Sequence, residues 1–177
     1  MLFNEIYYRD DKNTLNLING NIILRNAVRA IIINENKILM VYLEKTDEYK
    51  FAGGGINENE TIEEALKREV LEEIGYKVKN IIEKIGIMTE YSKALENENN
   101  VFKMISEYYL VEIENKQLKQ NLDEYEKDLL FRAYWVDMKK AYKTNMRNIE
   151  NNNEKNPWIY RESIVLEKLI NKYYNGV

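Results

Sequence analysis

Three glutamates in one segment of the chain have the spacing of a binding site for a divalent cation. The segment reads GGGINENETIEEALKREVLEEIGY and runs from Gly53 to Tyr76. Glu72 and Glu73 follow Glu69 by three and four positions, so in a helix the three side chains come together. Three carboxylates this close repel each other. Mg²⁺ or Mn²⁺, which prefer oxygen ligands, would remove that repulsion, and the spacing therefore indicates a metal site.

The helix that carries these glutamates has them on its apolar side. At about 100° per residue, Glu69 and Glu73 fall within the apolar stripe and Glu72 falls at its edge; the stripe consists of Ile62, Ala65, Leu66, Val70 and Ile74. The alternative is a solvated glutamate-rich helix stabilised by pairs with lysine and arginine. That alternative explains Glu63 and Glu64, with Glu64 and Arg68 as an i,i+4 pair. The charges on the apolar side favour a site.

Three consecutive glycines precede the helix and follow a short apolar strand. Gly53, Gly54 and Gly55 have no Cβ, so a ligand can approach their backbone closely. Their N–H groups or a carbonyl oxygen can then reach a phosphate or a metal. A strained turn is the other explanation for such glycines, but beside a helix that carries carboxylates they favour a site.

The composition excludes several kinds of chemistry. The chain has no cysteine and no histidine, which excludes disulfides, thiolate nucleophiles, Cys/His zinc sites and imidazole bases. The net charge of -4 and the pI near 5.2 leave no overall basic field for non-specific binding to nucleic acid. An anionic ligand must therefore be held locally.

Neither a signal peptide nor a membrane span is predicted. The N-terminus, MLFNEIYYRDD, is acidic, and Arg29 and residues 34–37 interrupt the most apolar stretch, residues 27–41. We expect a soluble, cytoplasmic protein that does not bind membranes.

The glutamates and glycines must be positioned by a layered fold. We expect a single domain over residues 1–177 with helices on the faces of a mixed sheet. Helices are predicted at 61–74, as a short helix from about 137, and at 159–173, and residues 116–128 are expected to be a loop with some helix. Polar surface loops are expected at 96–100 and 148–157, a turn at Asn19–Gly20, and a hairpin at 34–36. Strands are predicted at 6–8, 21–25, 27–33, 37–44, 49–51, 81–91, 102–113 and 131–136.

The segment resembles the Nudix box, the motif of a family of pyrophosphate hydrolases, written G-x5-E-x7-R-E-U-x-E-E-x-G-U with U a bulky apolar residue. The fixed positions fall on Gly54, Glu60, Arg68, Glu69, Val70, Glu72, Glu73, Gly75 and Tyr76. The flanks RNAVRAIII, YKFAGG and YWVDMKKA also resemble the family. Ala52, Asn57 and Asn59 replace the proline, glutamate and glycine of many members, outside the fixed positions, so we expect a changed loop with activity retained.

The resemblance implies an α+β fold, an α/β/α sandwich with a mixed β-sheet that has leading strands in residues 1–25 and a C-terminal helix in 157–177. It also implies metal-dependent hydrolysis with Mg²⁺ or Mn²⁺ as cofactor. By this resemblance, Glu72, Glu73 and the Gly54 carbonyl are metal ligands, and Glu69 is a ligand or the catalytic base. Arg68 is the arginine that orients the neighbouring carboxylates. Glu60, Gly53 and Gly55 support the site. Without histidine, either Glu69 or a glutamate of a distant loop must accept the proton of the attacking water. Glu124 and Glu126 in LDEYEKD are candidates for that second base, and a solvated acidic loop is the alternative.

The resemblance also implies a nucleotide or nucleotide-derived substrate, and the residues outside the box say less about which one. Arg29, Lys103 and Arg132 are candidates for binding phosphate, with a charged sheet surface as the alternative. Phe51 is a candidate for stacking on a base, with core packing as the alternative. Tyr91, 16 positions after Gly75, resembles a tyrosine of the diadenosine-polyphosphate group, and the position of the single proline, Pro157, disfavours ADP-ribose.

Three functions remain open on the sequence. The leading one is hydrolysis of a nucleoside diphosphate linked to another moiety X. The second is an RNA 5′-end pyrophosphohydrolase, which the lack of a basic cluster disfavours. The third is a catalytically silent nucleotide-binding module, which the complete box disfavours. A homodimer is compatible with the resemblance, since the family is often dimeric.

Overall fold

The computed structural model describes residues 1–16, 20–97, 99–151 and 156–174. Strands and helices alternate along the chain, and across these ranges no helix has both the length and the apolar character needed to cross a bilayer. The elements are β1 (Phe3–Tyr8), α1 (Lys12–Asn16), β2 (Ile22–Ile31), β3 (Ile33–Asn34), β4 (Lys37–Leu43), β5 (Glu48–Lys50), α2 (Ile62–Ile74), β6 (Val78–Lys93), β7 (Val101–Ile113), α3 (Glu124–Asp128), β8 (Phe131–Asp137), α4 (Met138–Glu150) and α5 (Ile159–Tyr174).

The strands form two sheets that meet at the glycines. The first sheet has the order β1-β6-β7-β2, in which β6 and β7 are antiparallel and the two outer pairs are parallel. In the second sheet, β4 pairs with β3, β5 and β8, each antiparallel. Two isolated bridges, Ala27 with Gly55 and Ala30 with Ala52, join the edge of the first sheet to the segment after β5. The glycine segment is therefore held between the sheets.

Helices cover both faces of these sheets. Successive residues of a strand point to opposite faces, and in β4 Leu39 and Val41 pack with α2 while Ile38 and Met40 pack with α5. α4 joins α5 on its side through Met138 and Ala141. This arrangement confirms the expected α+β sandwich with a mixed sheet.

Several predicted elements differ in extent from those observed. The strand predicted at 21–25 and most of the strand predicted at 27–33 form one strand, β2, while Ile33 begins β3. β2 continues through Asn26 because this residue pairs with Ile105 of β7 and its carbonyl accepts the Ile56 N–H at 3.0 Å. The turn at Asn19–Gly20 involves a residue outside the described ranges. α1 was not predicted, and the 13-residue α4 is longer than the short helix expected after Asp137.

The polar segment 148–157 is only partly a surface loop. Asn148 is buried inside α4, where its amide donates to the carbonyls of Thr46 and Asp47. Residues 152–155 lie outside the described ranges, and so does Glu98 in the loop predicted at 96–100. Polar composition was misleading at Asn148 because a buried amide is tolerated when its hydrogen bonds are satisfied.

Candidate active site

Specific side chains fix both ends of α2. The Thr61 hydroxyl accepts from the Glu64 N–H, and the Glu64 carboxylate accepts from the Thr61 N–H at 2.9 Å, which forms a capping box. Gly75 ends the helix in the left-handed conformation, with φ of 74°. Because Glu64 is engaged by Thr61, the predicted Glu64–Arg68 pair is wrong.

The glutamates on α2 lie on the expected face. Glu69 and Glu73 are buried, with exposed fractions of 9% and 1%, although both are charged residue types. Glu72 is partly exposed at the edge of the buried face. The helical spacing therefore placed the three carboxylates correctly.

Arg68 connects these glutamates to the loop before the helix. Its Nε and Nη2 donate to the two oxygens of Glu60 at 2.7 and 2.8 Å, and Nη2 also donates to the Gly55 carbonyl at 2.9 Å. Its Nη1 donates to Glu69 at 2.6 Å and to Glu72 at 3.2 Å. The hydrogen bond from Arg68 lowers the pKa of Glu60 to about 2, and Glu60 in turn raises the pKa of Arg68. Arg68 thus contacts all three of these glutamates, and its orienting role stays a prediction.

The glycine segment is held on both sides by hydrogen bonds. The Gly53 N–H donates to Glu73 at 2.8 Å, and the Gly53 carbonyl accepts from Arg29. The Gly54 carbonyl accepts from the Val28 N–H at 3.0 Å, and its second lone pair can take another partner. These contacts fix where the Gly54 carbonyl lies.

Two of the glycines leave open a space that a Cβ would fill. Gly53 has φ of 142°, and a Cβ there would lie 2.9 Å from the backbone of Arg29. A Cβ on Gly54 would lie 2.6 Å from the carboxylate carbon of Glu69. The missing side chain of Gly54 therefore lets the Glu69 carboxylate approach the backbone of the loop.

Asn59 occupies one of the positions where many family members have glycine. Its φ is 63°, in the left-handed region. Asparagine adopts this region more readily than most residues, so the substitution keeps the turn that leads to Glu60.

Glu73 has a buried partner that the sequence did not reveal. Lys50 of β5 donates to Glu73, and its ammonium lies 4.9 Å from the centre of the Phe131 ring. Burial raises the pKa of Glu73 to about 7, against the opposing effects of Lys50 and the Gly53 N–H. A lysine within the buried strand EYK was the available signal for an internal ion pair.

The donor set beside the glycines fits a divalent cation. Glu69 and Glu72 both reach Arg68 Nη1, so their oxygens converge on one point of positive charge. Among the described residues no group of three or more acidic side chains is close enough to hold a metal. Mg²⁺ commonly takes only one or two carboxylates, with water and substrate phosphates completing its shell. Two carboxylates are therefore sufficient from the side chains, and the Gly54 carbonyl stays the predicted backbone ligand.

The pKa of Glu72 is raised, mainly by partial burial. The negative charges of Glu69 and Asp123 add to this effect, and Arg68 opposes it. These carboxylates outnumber the one arginine beside them. The site therefore has an excess of negative charge, which a cation would neutralise.

Two of the predicted substrate-binding residues are enclosed in the protein. Phe51 is fully buried with its ring edge-on to Tyr108, so it has no face open to a nucleobase, and that prediction is wrong. Arg29 is buried and donates to the Gly53 carbonyl. Its contact holds the loop, while its role in binding phosphate stays a prediction.

Tyr91, Lys103 and Arg132 have their contacts elsewhere. The Tyr91 ring stacks on Tyr8 at 5.2 Å, and the Lys103 ammonium lies 5.5 Å from the Tyr91 ring centre. Arg132 is exposed and pairs with Glu44 at 2.5 Å. None of these contacts is with the glycine segment or α2, and the substrate roles of the three residues stay predictions.

The two candidates for a second base differ in position. Glu124 is exposed, whereas Glu126 is buried and accepts from the Asp123 N–H at 2.8 Å and the Tyr125 hydroxyl at 3.0 Å. The segment that leads into α3 contacts α2, where the Asn121 N–H donates to the Glu72 carbonyl at 3.0 Å. α3 therefore begins close to the helix of the site, with Glu126 on its inner side.

Sequence reasoning also missed Arg25 and Glu162. The guanidinium of Arg25, an exposed residue of β2, lies 2.8 Å from where a Cβ of Gly55 would be. Glu162 of α5 is fully buried and accepts the Phe51 N–H at 3.1 Å, just before the glycines. Arg25, Ala27 and Arg29 alternate along β2, and this pattern could have indicated that Arg25 and Arg29 point to the same side of the strand. The contact of Glu162 with the Phe51 N–H spans 111 residues and left no local signal.

Comparisons with known proteins agree with this geometry. The model of the NUDIX domain matches residues 23–158, which is most of the chain. A curated relative, the 8-oxo-dGTP diphosphatase of Buchnera aphidicola subsp. Schizaphis graminum, is 42% identical over 57 residues, which cover 30% of this chain and 44% of that protein. The chain thus matches less than half the length of this relative.

Solved structures show the same fold at low sequence identity. A MutT NUDIX hydrolase from Burkholderia pseudomallei has a TM-score of 0.54 at 16% identity, covering 83% of this chain and 98% of its own. A MutT protein from Bacillus halodurans has a TM-score of 0.51 at 21% identity, covering 68% and 72%. The domain match, the complete motif and the site geometry together establish that this chain belongs to the NUDIX family of hydrolases.

Proposed function

We propose that this protein hydrolyses the pyrophosphate linkage of a nucleoside diphosphate linked to another moiety X, with Mg²⁺ or Mn²⁺ as cofactor. The observation that carries the proposal is the convergence of Glu69 and Glu72 on one positive group, Arg68 Nη1, with the Glu69 carboxylate against the backbone of Gly54. The family match supports pyrophosphohydrolase chemistry in general.

Glu69, Glu72 and the Gly54 carbonyl would hold the cation. When bound, a divalent ion neutralises the diphosphate and lowers the pKa of bound water. Arg68 orients both carboxylates while its other edge fixes Glu60. Without the ion, Arg68 Nη1 holds the two carboxylates together, and a bound cation would replace Nη1 while Nε and Nη2 stay on Glu60.

The attacking water must lose its proton to a carboxylate, because the chain has no histidine. Water adds to a phosphorus atom, the bridging P–O bond breaks, and the proton passes to the base. Glu69 lies against the Gly54 backbone, and Glu126 lies on the inner side of α3. These two are the candidate bases. A large fall in kcat in Glu126→Gln, with metal binding unchanged, would assign the role to Glu126.

The substrate class that we favour is a nucleoside triphosphate. The support is the curated relative, an 8-oxo-dGTP diphosphatase, whose identity with this chain is confined to 57 residues. Arg25, exposed beside Gly55, is placed to contact a phosphate of such a substrate. Replacing Arg25 with Gln should raise KM with a smaller change in kcat.

The test is release of phosphate or pyrophosphate from a nucleotide panel in Mg²⁺ or Mn²⁺. The panel contains 8-oxo-dGTP, the common triphosphates, sugar nucleotides, dinucleoside polyphosphates and triphosphorylated RNA. We expect metal-dependent turnover that Glu72→Gln abolishes and that Glu63→Gln, an exposed change on the same helix, leaves intact. Turnover that survives Glu72→Gln would contradict the site. Tight nucleotide binding without any turnover would instead support a silent binding module.

A further inference from the structure

Glu73 differs from the other two glutamates of α2 in what it contacts. Its side chain is enclosed between α2 and β5, where Lys50 donates to Oε1 and the Gly53 N–H donates to Oε2 at 2.8 Å. Lys50 is itself buried, with an exposed fraction of 5%. Both oxygens of Glu73 therefore have partners inside the protein.

Glu69 and Glu72 face a different environment. Their oxygens meet at Arg68 Nη1, and the side chain of Arg68 is 28% exposed. An ion that arrives from solvent can reach Glu69 and Glu72 by replacing Nη1 of Arg68, because the Arg68 side chain is partly exposed. At Glu73 it would have to approach a buried ammonium.

The charge of Lys50 opposes a cation at Glu73. Like charges repel strongly in the low dielectric of a protein interior. The ammonium cannot withdraw easily, because it is enclosed and lies over the Phe131 ring, which favours a cation at that place. Lys50 thus already supplies the positive charge that Glu73 needs.

We propose that Glu73 is a positioning residue which, neutralised by Lys50, holds Gly53, and that Lys50 keeps the divalent ion on Glu69, Glu72 and the Gly54 carbonyl. This inference rests on the proposed function, since it concerns the same metal. It differs from the role that the resemblance gives to Glu73. The consequence of the Glu73 contact is that the peptide joining Ala52 to Gly53 is fixed by α2, one residue before Gly54.

The experiment is Mn²⁺ binding to the full chain without nucleotide, followed by the electron paramagnetic resonance signal of free Mn²⁺. Wild type is compared with Glu72→Gln, with Lys50→Met, and with the double variant Lys50→Met/Glu73→Gln. The double variant removes both buried charges together, which avoids leaving one of them unpaired. Circular dichroism melts check that each variant is folded.

We expect one Mn²⁺ per wild-type chain and an affinity at least about tenfold lower in Glu72→Gln. The double variant should bind one ion within about threefold of the wild-type affinity, because the amide oxygen introduced by Glu73→Gln can still accept the Gly53 N–H, whereas a lost positioning contact costs about 10–100-fold. Lys50→Met, which leaves the Glu73 carboxylate without its ammonium, should bind a second ion or bind the first more tightly.

Two results would overturn the inference. If the double variant weakens binding as much as Glu72→Gln, Glu73 is a metal ligand. If Lys50→Met binds Mn²⁺ as wild type does, Lys50 does not exclude the ion. Failure of Glu72→Gln to weaken binding would instead contradict the proposed metal site, so the two failures are distinguishable.

Discussion

Replacing Arg68 with methionine should destabilise the metal-free protein more than the neighbouring change at Lys67. Arg68 contacts Glu60, Glu69 and Glu72, whose side chains are 12%, 11% and 35% exposed. An exposed pair contributes about 0–1 kcal/mol, and breaking a buried pair costs about 3–5 kcal/mol. For this partly buried group we expect a loss of about 2 kcal/mol, between those limits. In a chain of this size that lowers the melting temperature by about 4–8 °C.

The assay is thermal and urea unfolding at pH 7 in a chelator, with Lys67→Met as the matched control. Lys67 pairs with Glu63 on the same helix, but the two side chains are 51% and 63% exposed, so its loss should cost less than about 0.5 kcal/mol. Adding Mn²⁺ should raise the melting temperature of Arg68→Met more than that of wild type, since the ion replaces the missing charge. Equal losses for the two variants would refute the proposed role of Arg68 in neutralising the carboxylates.

Three further changes test other parts of the structure. Gly54→Ala should lower turnover about 100-fold, because the added methyl group displaces the Glu69 carboxylate. The melting temperature should change little, because Gly54 does not have a positive φ that alanine would strain. Unchanged turnover would contradict this expectation. Glu60→Gln should lower the melting temperature of the metal-free protein at pH 7, because the lowered pKa of Glu60 makes its pairing with Arg68 fully stabilising above about pH 4.5. That difference should shrink as the pH falls toward 2, and a difference that grew on acidification would exclude this explanation. Arg161→Met should cost about 3–5 kcal/mol in urea unfolding, because it leaves Glu162 buried without its cation and leaves Glu90 with only Arg9, at 3.9 Å. A cost below about 1 kcal/mol would show that this cluster is not stabilising.

The helix of the site could be predicted because its signals are local. The apolar spacing predicted a helix at 61–74, and the structure has α2 at Ile62–Ile74. The contact of Thr61 with Glu64 at its start is equally local, although the sequence analysis assigned Glu64 to a pair with Arg68. The same spacing placed Glu69 and Glu73 on the buried face. Local periodicity therefore determined the part of the site that belongs to one helix.

The remaining parts depend on contacts between distant residues. Lys50 meets Glu73 across 23 positions, and Glu162 meets the Phe51 N–H across 111, so neither partner could be identified from its own neighbourhood. Asn26 looked like a break between two strands, but pairing with β7 carries the strand through it. Phe51 was compatible with stacking on a base or with the core, and only the packing against Tyr108 decided between them.

The most direct test of the central claim is the rate of hydrolysis as a function of Mg²⁺ concentration, for wild type and Glu72→Gln, with the best substrate of the panel. We expect the wild-type rate to be zero without metal and to saturate as Mg²⁺ is added. The Glu72→Gln variant, folded as judged by its melting temperature, should be slower by at least about 100-fold at saturating substrate. Equal rates in the two proteins, or hydrolysis by wild type in the presence of a chelator, would contradict a metal site built on Glu69, Glu72 and the Gly54 carbonyl.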